Sequence, residues 1–161
     1  MFSIFGTPKI RLASLPVSEL YDEQSFYKRF IHDLKQAKRE IIIESPFIAS
    51  KRTDSLLPIL KKLCKYGVRV RINTRNPNHH DKVLRIQAWM SIKKLRAIGV
   101  KVNTYNDMRH RKLATIDEKI LWEGSLNILS QSRSKELMRR TDSELLCRQL
   151  INFTGMNRWS W

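Results

Sequence analysis

Between His110 and Asn127 the chain reads HRKLATIDEKILWEGSLN, and the residue types at these intervals define a chemistry. His110 and Lys112 are two residues apart, so on an extended segment both side chains leave from one side and can address one small anion together. Leu113 to Ile116 and Ile120 to Trp122 are short apolar runs joined by Asp117-Glu118-Lys119, the pattern of a β-hairpin. The second run delivers Gly124, Ser125 and Asn127, the last two again two apart and co-facial. The hairpin thus brings an imidazole, an ammonium, a hydroxyl and a carboxamide to one edge of a sheet. That set suits phosphodiester cleavage without a metal. Lys112 and Asn127 donate hydrogen bonds to the non-bridging oxygens over which transition-state charge spreads, Gly124 lets backbone approach closely, and His110 attacks phosphorus or shuttles a proton.

The spacing H-x-K-x4-D-x6-G-S-x-N resembles the complete signature of the phospholipase D superfamily. Six specified residues at fixed offsets carry far more information than a lone short motif. The resemblance implies that the motif histidine attacks phosphorus to give a phosphohistidine, and that a histidine from a second copy of the motif protonates the leaving oxygen. This chain holds one copy. The other histidine with a lysine two residues on, His80-Asp81-Lys82, has Gln87 at the aspartate position and no Gly-Ser-x-Asn after it. The resemblance is therefore to the single-motif nuclease type, and it implies a homodimer with one site shared across a two-fold axis.

Carried over residue by residue, the resemblance makes His110 the nucleophile in one subunit and the general acid, then base, in the other. Lys112 and Asn127 would bind phosphate oxygens, with Ser125 in support. Glu136 matches the glutamate that orients and polarises the histidine, with Glu144 as the second match. Asp117 is also a motif residue of the site, although an aspartate at a hairpin turn serves local hydrogen bonding equally well. No cofactor or metal is implied. The chain also looks like the phospholipase D-like domains appended to some helicases, which leaves a non-catalytic nucleic-acid-binding module as an alternative. A phospholipase D-type phosphatidyl hydrolase or transferase is another; it should show a lipid-docking apolar segment, which this sequence lacks apart from its ends.

The elements that must position these residues follow from periodicity. Asp22 can cap a helix to about Lys38 whose Phe26, Phe30, Leu34 and Ala37 share one face. Ile41 to Ile43, ended by Ser45-Pro46, reads as a strand buried on both faces. Thr53 or Asp54 can start a second helix carrying Leu56, Ile59, Leu60 and Leu63, with Pro58 in or near its first turn and Gly67 at its end. Val68, Val70 and Ile72 alternate with Arg69 and Arg71 as a strand with a basic outer face, and residues 73–78 follow as a loop. Asp81 to Ile98 reads as a long helix closed by Gly99, and Val100, Val102 and Thr104 as a strand. Glu136 to Arg140 forms a further strand, and Asp142 or Ser143 opens a last helix through Phe153. Helices and strands in alternation, then a hairpin, give an α/β fold with a mixed β-sheet sandwiched by helices, a phospholipase D-like domain. Residues 1–161 form a single domain with a lead-in over 1–20.

The charge balance points to the partner. There are 31 Lys plus Arg against 15 Asp plus Glu, a net charge of +16, as expected of a protein that meets a polyanion. Lys65, Arg69, Arg71 and Arg75, then Arg109 and Arg111 beside the motif, then Arg133 and Lys135 form the candidate surface for nucleic acid, DNA or RNA. Cys64 and Cys147 lie in apolar stretches outside any metal-ligand pattern and read as reduced core residues. His79 and His80 beside Asp81 lack the spacing to converge on one ion. Gly6-Thr7-Pro8-Lys9 lacks the second glycine of a phosphate loop, and Trp159 and Trp161 can stack on bases or pack on a partner. With no signal-peptide pattern and no long apolar run, the chain is expected to be cytoplasmic, without stable membrane insertion.

Overall fold

The computed structural model describes residues 16–130 and 133–157; most of the lead-in, the Gly6-to-Lys9 segment, Trp159 and Trp161 lie outside the described residues. The elements in order are β1 (Val17–Asp22), α1 (Phe26–Gln36), β2 (Glu40–Glu44), α2 (Ser50–Lys65), β3 (Arg69–Arg75), a 3-10 turn (Pro77–His79), α3 (Lys82–Ala97), β4 (Lys101–Tyr105), β5 (Leu113–Ile116), β6 (Ile120–Gly124), β7 (Leu137–Asp142) and α4 (Glu144–Thr154). The strands form a 7-stranded sheet in the order β1-β7-β6-β5-β2-β3-β4. Strands β2, β3 and β4 are parallel, with α2 and α3 as their crossovers, and β5, β6, β7 and β1 extend the sheet antiparallel. The architecture is the mixed α/β sandwich that the alternation of patterns implies.

Burial on both faces explains the isoleucine run. Ile41 and Ile43 join the main core with Phe26, Phe30 and Leu34 of α1, Leu56 and Leu60 of α2, and Ala88, Ile92 and Leu95 of α3. Between them, Ile42 points the other way and packs with Ile151 of α4 and with Met156. Trp122 of β6 is fully buried against Phe26 and Phe30 at ring-centroid distances of 5.1 and 6.0 Å. Burying an aromatic or aliphatic side chain of this size stabilises by roughly 1.5–3 kcal/mol. The indole N–H donates to Asp33 at 3.0 Å, and the same carboxylate takes the Arg140 guanidinium at 2.7 and 3.2 Å. A buried carboxylate needs such partners.

Several boundaries differ from the sequence reading. Residues 17–22 form a strand where the reading has lead-in: β1 is an exposed edge strand with no buried stripe to advertise it, held by its pairing with β7. Asp22 ends that strand, its carboxylate accepting from the N–H groups of Gln24 and Ser25 at 3.1 and 2.8 Å, so α1 starts at Phe26. Helix α2 starts at Ser50, which places Pro58 inside it. Strand β3 runs on to Arg75, because both its faces are covered along Val70 to Thr74. Asp81 caps α3 by accepting from Val83 and Leu84, each at 3.0 Å, and Ser143 caps α4. No helix among the described residues is long and apolar enough to cross a membrane.

Candidate active site

Parallel strands β2, β3 and β4 end at one edge of the sheet. The antiparallel order sends the end of β6 and the starts of β5 and β7 to that same edge. Glu44, Arg75, Tyr105, Lys112, Ser125 and Glu136 all arrive there, at the carboxyl edge where open α/β sheets collect ligands.

His110 stands exposed in the segment between β4 and β5, edge-on to Phe47 with ring centroids 5.8 Å apart. Lys112 is 9% exposed, and its Nζ lies 2.6 Å from His110 Nδ1 while donating to the His110 carbonyl at 2.8 Å. Burial lowers the Lys112 pKa, opposed by the charge of Glu136. Burial, then Lys112, then Arg75 lower the His110 pKa. A shift below the ordinary value near 6.5 favours the neutral imidazole at pH 7, the form that attack on phosphorus requires.

Gly124 fits because a side chain does not. A Cβ there would meet the Leu137 carbonyl oxygen at 2.1 Å and Met138 Cα at 2.9 Å, so β7 crosses hard against β6 at this point. The approach lets Ser125 N donate to Leu137 O at 2.9 Å and Leu137 N donate to Ser125 Oγ at 3.0 Å. Ser125 Oγ donates to Glu136 Oε2, and Ser134 Oγ to the other carboxylate oxygen at 2.7 Å. Glu136 is thus seated on Ser125 and Ser134. It reaches Lys112 through its charge, and the His110 contacts run to Lys112 and Phe47. Asn127 lies in the turn after β6 between the fully buried Leu126 and Ile128, and its Oδ1 is buried without a hydrogen-bond partner among the described residues. This turn is tied to the β2–α2 loop that holds Phe47: Ala49 N donates to Leu129 O at 2.9 Å and Leu129 N to Ser45 Oγ at 3.3 Å.

Asp117 is not brought to this cluster. It occupies the β5–β6 turn, at the other end of β5 from Lys112, where it and Glu118 both take φ 54°. Its carboxylate accepts from the backbone N–H groups of Lys38, Arg39 and Glu40 at 2.8, 2.8 and 2.9 Å, fastening the hairpin to the entry of β2. The cations divide as well. Arg71 is 2% exposed, which removes it from any outer surface: the outward basic face read for β3 is covered at Arg71 and open at Arg69. Lys65 and Arg69 lie at the opposite end of β3 from His110. Arg75 reaches the site edge, 5.9 Å over the Phe47 ring. Arg133 is exposed, and Lys135 pairs with Glu23 at 2.7 Å. Arg109 and Arg111 turn inward to Glu44, at 3.8 and 2.7 Å.

Glu44 and Phe47 have no role in the sequence reading, although they flank the Ser45-Pro46 pair that ends its isoleucine strand. Phe47 touches His80 as well as His110, with centroids 5.0 Å apart in the first pair. Burial and Arg75 lower the His80 pKa. A charged residue ending an all-isoleucine run was the one available signal for Glu44.

The geometry agrees with what comparison finds. A family model described as the phospholipase D-like domain of cardiolipin synthase matches residues 30–156. No curated protein matches the sequence. Among solved structures, NucT from Helicobacter pylori aligns with a TM-score of 0.72 at 18% identity, covering 89% of this chain and 97% of that one. Nuc from Salmonella typhimurium, a phospholipase D family member, aligns with 0.70 at 16% identity over 86% and 91%. Phosphatidylserine synthase from Haemophilus influenzae Rd KW20 aligns with 0.65 at 14% identity, covering 91% of this chain but 40% of the larger protein. At these identities the likeness is one of fold.

Proposed function

This chain belongs to the phospholipase D-like domain family, and on that premise we propose that it is a metal-independent nuclease, a single domain over 1–161, working as a homodimer. The observation that carries the reading is the contact at the carboxyl edge: His110 Nδ1 lies 2.6 Å from Lys112 Nζ, just before the hairpin whose far strand leads to Ser125. In the first step the His110 lone pair attacks phosphorus and the bond to the leaving oxygen breaks. The His110 of a second copy, in its protonated form, gives that oxygen its proton and is left neutral. Water then attacks the phosphohistidine, giving its proton to the second imidazole, and the N–P bond breaks. Lys112 and Asn127 hold the non-bridging oxygens as charge develops on them. Ser125 and Glu136 act behind them, Glu136 by its charge on Lys112. Arg75, Arg133 and Lys135 meet the phosphate backbone without regard to base.

A second reading, phosphatidyl hydrolysis or transfer, draws on exposed apolar side chains. Met108 is next to Arg109, and Val83 and Ile86 sit on the first turns of α3, which follows the site end of β3. One assay separates the readings: labelled DNA, RNA and phospholipid are each offered to the protein in EDTA. The nuclease reading expects cleavage of nucleic acid that persists in chelator and vanishes in His110→Ala. Turnover of phospholipid alone transfers the mechanism to a lipid. Nucleic-acid binding without cleavage leaves a binding module. Mixing His110→Ala with Asn127→Ala subunits tests the shared site, which must not regain wild-type activity.

A further inference from the structure

We infer that Glu44 is a positioning residue, a buried carboxylate that grips Arg109 and Arg111 on either side of His110 and so fixes the imidazole. The inference rests on His110 being the nucleophile, as proposed above. Backbone pairing does not place His110. The β2–β5 ladder begins at Glu44↔Leu113, and the β3–β4 ladder ends at Arg75↔Tyr105. Between Tyr105 and Leu113 the segment is held by side chains. Arg111 Nε donates to Glu44 Oε1 at 2.7 Å, and an Arg109 guanidinium nitrogen lies 3.8 Å from Glu44 Oε2. Arg109 is fixed further by Asp107, at 2.7 Å from both Nε and a terminal nitrogen, and by stacking 3.2 Å over the Tyr105 ring.

Residues 109 and 111 therefore face one way, to Glu44, while His110 and Lys112 face the other and meet each other. Glu44 is 0% exposed, and a buried carboxylate needs partners against it. The clamp is thus mutual: the arginines supply those partners, and the carboxylate holds the arginines and the segment between them. In a chain with +16 net charge, it also turns two arginines that flank the nucleophile away from substrate phosphate.

The test is steady-state cleavage of a short labelled nucleic acid in EDTA by Glu44→Gln, Arg111→Gln and the double variant, beside His110→Ala. Glu44→Gln keeps shape and an acceptor but loses the charge. Both single variants should lower kcat roughly 10- to 100-fold with KM unchanged, the scale of an ångström-level misplacement. The double variant should lose no more than Glu44→Gln alone, because Arg111→Gln cuts a contact that Glu44→Gln has already cut. Wild-type kcat in Glu44→Gln overturns the inference, and so do losses that multiply in the double variant. A change confined to KM in Arg111→Gln overturns it too, by making Arg111 a substrate contact. Should Glu44→Gln fail to fold, Arg111→Gln decides alone, since its side chain is 39% exposed. Full activity in His110→Ala marks failure of the nuclease mechanism itself. A dead His110→Ala beside an unimpaired Glu44→Gln marks failure of the clamp only.

Discussion

Replacing Gly124 with alanine tests how the site is built. The added Cβ would lie 2.1 Å from the Leu137 carbonyl oxygen, and real contacts of this kind do not fall below 3.0 Å. Strands β6 and β7 must therefore part by about 0.9 Å, the difference between those distances. The Ser125 N to Leu137 O and Leu137 N to Ser125 Oγ bonds, now 2.9 and 3.0 Å, would stretch past hydrogen-bonding range. Each is worth about 1 kcal/mol net, and overpacking adds about 1–3 kcal/mol. The total is about 3–5 kcal/mol, or a Tm lower by roughly 6–20 °C for a chain of this size. Ser125 and Glu136 move with the strands, so cleavage by the protein that stays folded should fall roughly 100-fold. Thermal unfolding followed by circular dichroism and cleavage in EDTA at a temperature below both midpoints read the two effects separately. A Gly124→Ala protein with wild-type Tm and wild-type rate would refute the close approach of β7 as the device that seats Ser125.

Two further outcomes follow from the same geometry. Arg75 is one of the groups that lower the His110 pKa, so Arg75→Gln should raise it. The imidazole then holds its proton to higher pH, and the acid limb of the kcat/KM profile should move upward with the His110 midpoint in NMR titration; an unmoved or lowered midpoint contradicts the assignment. Asp117→Ala removes the acceptor for three backbone N–H groups at residues 38–40. It should cost about 2–4 kcal/mol of stability while the folded fraction keeps its kcat, whereas full stability with lost kcat would return Asp117 to the site.

How far the sequence carried follows from where burial leaves a pattern. The motif is legible because its chemistry is local: His110 and Lys112 are neighbours on one segment, and Ser125 is returned by a hairpin short enough to see. The cores of α1 and β2 are legible because Phe26, Phe30 and Leu34, or three consecutive isoleucines, have one physical use. Strand β1 is illegible because it is exposed along most of its length and takes its conformation from pairing with β7, more than a hundred residues away. Arg71 misleads because alternation predicts which face a side chain takes, not whether a helix or chain terminus later covers that face. Glu44 and Phe47 are invisible for a related reason: their partners, Arg109, Arg111 and His110, come from more than sixty residues further along.

The most direct measurement is a search for the covalent intermediate. Protein is mixed with a labelled DNA or RNA substrate in EDTA, quenched within the first turnovers under conditions that preserve phosphoramidates, digested, and its peptides are weighed by mass spectrometry. The account predicts a nucleotide-phosphoryl adduct on His110, formed during turnover and absent from the His110→Ala protein. Cleavage that proceeds at full rate in His110→Ala, with any adduct on another residue or none at all, would contradict it.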